Sequence, residues 1–150
     1  MSLENKIMEA MKIAMKNKDQ SALSALRAVK SELILAKTSG NTSDEFSEAD
    51  ENKLLQKLVK QRKDSAAIFS EQNREDLAQP ELEQAAVIST FLPEQMTEVA
   101  VEKVVVEVIA QTEASSMKDM GKVMGIVNDK LAGKADGKTI SGIVKRILSN

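Results

Sequence analysis

Residues Thr97–Ile109 read TEVAVEKVVVEVI, and the fold class of the whole chain turns on how they are read. Seven of the thirteen are Val or Ile, whose branched β-carbons suit strands better than helices. A half-buried strand would place an apolar residue at every second position. Here Val101, Val104, Val105, Val108 and Ile109 recur at spacings of three and four, with Glu98, Glu102, Lys103 and Glu107 between them. That is the pattern of a helix with one apolar face. Thr97 stands where an N-cap hydroxyl would take the first free amides. With this stretch assigned to helix, no strand remains in the chain, and the predicted class is all-α.

Working outward, Leu92-Pro93-Glu94-Gln95 interrupts the pattern just before this helix. It is the predicted boundary between a four-helix part, 1–92, and a three-helix part, 97–150, with 93–96 as linker. In the first part, Leu3, Ile7, Met11 and Met15 recur every fourth residue as one helix, ended by Asn17. Asp19 caps a second, striped by Ala22, Leu26, Val29, Leu33 and Ala36, which stops in the turn-forming run Thr38-Ser39-Gly40-Asn41. Ser47 caps a long third helix with Glu48, Asp50 and Glu51 at its dipole-positive end and a stripe of Leu55, Leu58, Val59, Arg62, Ala66 and Phe69. The fourth runs to about Phe91, with Pro80 expected in its first turn, where a missing N–H costs nothing. Beyond the Val-rich helix, Ser116 caps a sixth, striped by Met117, Met120, Met124, Val127 and Leu131 and ended by Gly133. Asp136-Gly137 leads into a seventh carrying Ile140, Ile143, Val144, Ile147 and Leu148.

Composition narrows the chemistry. The 150 residues include no Cys and no His, which removes disulfides, zinc–thiolate sites, a Cys nucleophile and the usual catalytic base. A Ser–Lys amidase would need a Gly/Ser-rich strand-to-helix turn to present the serine, and no such stretch occurs. No catalytic residue, metal or cofactor is therefore expected. Met-Ser-Leu-Glu-Asn-Lys at the start lacks the basic and apolar runs of a signal peptide, and no apolar run approaches the roughly 20 residues of a membrane span. A cytoplasmic protein is expected. Charge is unevenly spread: Pro93–Ala114 holds five Glu and one Lys, whereas Ser115–Asn150 holds seven Lys or Arg and three Asp, net +4.

Within that basic block, Gly121 and Gly125 sit one turn apart inside a helix, where each Gly costs about 1 kcal/mol relative to Ala. A glycine track bordered by Lys118 and Lys122, on the face away from the core, lets a backbone approach closely. The approaching backbone is either a packed helix or a phosphodiester chain. The turn Gly133-Lys134-Ala135-Asp136-Gly137-Lys138 is either an anion site at a helix N-terminus or a plain Asp-capped turn. It is not a P-loop, because the glycine spacing is wrong and no strand leads into it. Lys145 and Arg146 complete the basic set. Arg62, in mid-stripe, is expected to be structural and paired with a carboxylate, Glu32 or Glu83. The eight Met, four of them assigned to the first two helices, are expected to be adaptable core.

Several segments, in order along nearly the whole chain, resemble the GatB/YqeY family, in particular its free-standing YqeY-like members. They are Met11-Lys12, Met15-Lys16-Asn17-Lys18-Asp19, Leu26-Arg27-Ala28-Val29-Lys30, Lys60-Gln61-Arg62-Lys63-Asp64-Ser65, Arg74-Glu75-Asp76-Leu77-Ala78 and Phe91-Leu92-Pro93-Glu94-Gln95. The most specific are Asp119-Met120-Gly121-Lys122-Val123-Met124-Gly125 and Gly133-Lys134-Ala135-Asp136-Gly137. Gln79-Pro80 departs from the pattern, where uninterrupted helix is expected.

The resemblance implies a small bacterial cytosolic protein whose three-helix part is similar to the helical tail of the tRNA-dependent amidotransferase B subunit. That tail is associated with gripping tRNA, and the family carries the label of a carbon–nitrogen ligase with glutamine as amido-N donor. This chain offers no ATP-cradling loop, metal cluster or amidase nucleophile, so no catalysis of its own is expected. The implied function is a tRNA-binding accessory module. Its nucleic-acid contacts would be Lys118, Gly121, Lys122, Gly125, Lys134, Lys138, Lys145 and Arg146, with Arg62 and Pro93 structural. The alternative is a protein-interaction module that docks on an amidotransferase or an aminoacyl-tRNA synthetase.

Overall fold

Side-chain oxygens fix most of the helix starts in this chain. The structure, a computed structural model, describes residues 2–39 and 46–149. Among them are seven α-helices and no strand: α1 Leu3–Lys16, α2 Gln20–Ser39, α3 Glu48–Glu71, α4 Glu75–Ser89, α5 Glu98–Thr112, α6 Met120–Lys130 and α7 Gly137–Leu148. Ser2 accepts from the Asn5 amide and Asp19 from the Ala22 amide, starting α1 and α2. Ser47 and Asp50 form a reciprocal capping box on α3. Thr97 caps α5, and Asp136 caps α7. The Gly40-Asn41 part of the expected turn lies outside the described residues.

The chain divides into two compact units, Met1–Leu92 and Pro93–Asn150. The first gathers Leu3 and Ile7 of α1, six buried residues of α2 that include Leu26, Val29 and Leu33, Leu55, Leu58 and Val59 of α3, and Ala85 and Ile88 of α4. Ala66 and Ala78 are also buried, so α3 and α4 pack closely further along. The second unit is built on β-branched residues: Val101, Val105 and Val108 of α5, Val123 and Val127 of α6, Ile140, Ile143 and Val144 of α7. Burying each such side chain is worth about 1.5–3 kcal/mol, which outweighs the weak helix propensity of Val.

Five expectations change. Met15 is 53% exposed, and Ala14 takes its place in the core. A strict every-fourth-residue row turns about 40° per step, so by Met15 it has rotated some 120° off the buried face. Met8 is half exposed too and α2 contains no Met, so of the methionines described in the first two helices only Met11 packs against the core. Pro80 is the sixth residue of α4, which starts at Glu75 and ends at Ser89. The lost bond would have used the Asp76 carbonyl; Asp76 and Pro80 are both exposed, so water can serve it. Met117 lies in a 3-10 turn, Met117–Asp119, capped by Ser116, so it leaves the α6 register and is 41% exposed. Val123 carries the buried face instead.

Arg62 is the fifth. It is half-buried, but its partners are neutral: Nε donates to Gln84 Oε1 at 3.1 Å and a terminal nitrogen to the Leu58 carbonyl at 3.1 Å. Glu83 accepts from the Ser21 hydroxyl instead, at 2.9 Å. Arg62 thus ties α3 to α4 without a carboxylate. Residues 93–96 also do more than join helices. Gln95 Nε2 donates to the Gly133 carbonyl at 2.6 Å and the Met96 amide to the Lys134 carbonyl at 2.8 Å. Pro93 is half-buried at the start of this strap.

Candidate nucleic-acid interface

The basic block of the second unit is built on α6, α7 and the loop between them. On α6, the buried Val123 and Val127 define the inward direction. At about 100° per residue, Gly121 and Gly125 point away from it, with Lys122 beside them, while Lys118 lies just before α6 in the 3-10 turn. Their surroundings decide between the two readings of the glycines. A β-carbon added at Gly121 or Gly125 would meet nothing within 4 Å. Neither glycine serves helix packing in this unit, and both are exposed. The face they make is bare backbone bordered by lysines.

α7 repeats the arrangement, which sequence reasoning missed. Gly142 stands in mid-helix on the face opposite Ile140, Ile143 and Val144, and a β-carbon there would also meet nothing within 4 Å. Lys138 and Lys145 lie one turn to either side. The signal was available: an interior helical Gly between two Lys carries the same cost as Gly125.

In the connecting loop, Gly133 has φ 81°, the left-handed conformation that only Gly adopts freely, and its carbonyl is held by Gln95. Lys134 and Lys138 are exposed on either side of Asp136. The Asp136 carboxylate accepts from the Thr139 amide at 2.6 Å. The N-terminal end of α7 is therefore already served by an anion from the chain, and the Asp-capped turn is the reading that holds. What the loop offers a ligand is its lysines.

All eight residues singled out in the sequence are exposed. They do not converge on one pocket but spread over two helix faces and a loop. Among the described residues, no ion pair holds Lys118, Lys122, Lys134, Lys138 or Lys145. Arg146 differs: its guanidinium pairs with Glu102 of α5 at 3.2 Å, which turns it toward the acidic helix of the same unit. Elsewhere, a cavity of about 250 Å³ in the first unit is lined by Lys6, Glu48, Glu51 and Phe91, among others. Burial pushes the Glu51 carboxyl above its ordinary value. Among the described residues, no three acidic groups are gathered to hold a metal, and no helix is long and apolar enough to cross a membrane.

A comparison with curated proteins returns no match to this chain. A family model described as Yqey-like protein matches residues 4–148, which takes in all of α2 to α7 and all of α1 but its first residue. On that match, the chain belongs to the YqeY-like family.

Proposed function

We propose that this protein is a non-catalytic accessory module of the bacterial cytosol that binds folded tRNA through α6, α7 and the loop between them, and that it is related to the tRNA-dependent amidotransferases. The observation that carries the reading is the trio of exposed helical glycines beside lysines free of ion pairs. Each interior glycine costs helix stability, and no internal packing repays it. A phosphodiester backbone gains from both features, because it can lie close to bare peptide and meet cations on either side. Recognition is then by charge and shape, not by base edges. The chain's three Phe, with no Tyr or Trp, offer little for stacking on unpaired bases.

A salt titration of tRNA binding to the full chain tests this. With about four lysines neutralising phosphates, log affinity against log salt slopes near −3 to −4. Replacing Lys122 and Lys134 with Glu removes two of those contacts and lowers affinity about 100-fold near 0.1 M salt, with helicity unchanged. Equal binding by variant and wild type, or no binding by wild type at low salt, ends the proposal.

A further inference from the structure

The α1–α2 pair exposes a second basic surface of a different kind. The ion pair between Glu4 and Lys37 joins one edge of α1 to one edge of the antiparallel α2. On α1, Glu4, Met8, Met11 and Met15 fall within an arc of about 60°. On α2, Lys37, Lys30, Ile34 and Arg27 fall within about 80°. The two arcs flank the same seam, beside the buried faces of both helices, with Leu23 and Met11 at its floor packed into the core. Met8, Met15 and Ile34 are 47%, 53% and 51% exposed there, so the seam is an apolar strip open to solvent. Lys12, Arg27 and Lys30 are exposed along it, while at its end Glu4 is held by Lys37, a pair that Glu51 of α3 also faces. By the same geometry Glu32 lies on the opposite flank of α2, and Glu9 on the outer face of α1 beyond Lys12.

We infer that this seam docks an amphipathic helix of a partner protein, one with an apolar stripe flanked by Asp or Glu. The seam between two packed helices is a place where the apolar face of a third can lie, and methionines adapt to the side chains it brings. From Met8 to Met15 the strip is about 10 Å long, which matches about two turns of helix. The basic border selects acidic flanks and repels basic ones. Nucleic acid is disfavoured, since its phosphates would have to sit on exposed thioether and alkyl groups.

The test uses the full chain and two designed 14-residue helical peptides, labelled for fluorescence anisotropy. Both carry the same leucine stripe; one has Glu at every flanking position, the other Lys. The acidic peptide should bind at least about tenfold more tightly than the basic one. Replacing Met8 and Met15 with Gln should weaken it about tenfold, and R27E/K30E should reverse the preference between peptides. These side chains are exposed, and circular dichroism is to check that each variant stays helical. Equal binding of the two peptides, binding of neither, or indifference to the Met replacements overturns the inference. So does a concentration-dependent dimer of the chain that the Met variant abolishes, which makes a second copy the occupant. Binding to vesicles of equal phosphatidylcholine and phosphatidylglycerol that is lost in the Met variant overturns it as well, in favour of a lipid surface.

Discussion

Helices α1 and α2 in the first unit, and α6 and α7 in the second, both carry surplus positive charge. Over residues 2–39, seven Lys or Arg stand against four Asp or Glu; over 115–150, seven stand against three. What lies beside those charges separates the two. The first pair shows water thioether and alkyl side chains, Met8, Met15 and Ile34. The second shows it bare peptide at Gly121, Gly125 and Gly142. Net charge says only that an acidic partner is welcome. On the readings proposed above, the neutral residues between the charges set the kind of partner, apolar side chains in one case and a close, polar backbone in the other.

The largest expected effect separates the two surfaces directly. K122E/K134E lowers tRNA affinity about 100-fold, whereas K12E/K30E, with the same loss of charge, leaves it within about threefold. Equal losses in a filter-binding titration would mean that net charge alone governs binding, and the distinction between the surfaces would collapse.

Arg62 probes the interior of the first unit, which, unlike the second, holds a half-buried cation between helices. Arg62→Ala removes bonds to a neutral amide and a carbonyl, so urea unfolding should show a loss of about 1–2 kcal/mol. Lys63→Ala, exposed on the same helix, should cost within about 0.5 kcal/mol. A loss of about 3–5 kcal/mol at Arg62 would instead mark a stranded buried charge.

The glycines sharpen the comparison from the other side. Gly125→Ala and Gly142→Ala should each raise the stability of the second unit by about 0.5–1 kcal/mol, because each β-carbon enters open space. Gly125→Leu should keep or raise stability while weakening tRNA binding about tenfold, since the added bulk meets only what comes from outside. Destabilisation by Leu, read from thermal melts, would return Gly125 to a packing role.

The smallest effect is a pH dependence confined to the first unit. Hydrogen bonds from the Ser47 amide and hydroxyl hold the Asp50 carboxyl below its ordinary value of 3.8. A depressed folded-state pKa gives stability that is complete above the unfolded value and is lost as pH falls through the folded one. The melting temperature of Ser47→Ala should therefore lie below that of wild type at neutral pH, with the gap narrowing in acid. Glu51, raised by burial, contributes in the opposite direction to both proteins alike and so drops out of the gap. A gap that widens in acid would reverse the sign assigned to Asp50.

Much of this fold was legible residue by residue. Capping oxygens at Asp19, Ser47, Thr97, Ser116 and Asp136 and the stripes of α2, α3 and α5 were readable because they depend only on local geometry and period. The failures share a cause, which is register. A row of fourth residues drifts off the buried face, hiding that Met15 is outside, and the 3-10 turn at Met117 breaks the phase that α6 was assumed to inherit. Partners across elements were also out of reach. Gln84 for Arg62 and Glu102 for Arg146 follow from packing, which no spacing encodes. The lysines and two of the three glycines of the candidate interface could be named in advance, but Gly142 was missed and the open space above the glycines could not be read.

The strap at 93–96 has a use in measurement. The Met96 amide is bonded to the carbonyl of Lys134, so its proton can exchange with solvent only when the strap lifts from the loop that carries that lysine. A ligand that engages Lys134 and holds the loop closed must slow this one exchange rate, by a factor that grows as one plus the ratio of ligand concentration to Kd. Deuterium uptake at a single backbone position thus becomes an internal gauge of occupancy at the lysine, without a label or a mutation on either.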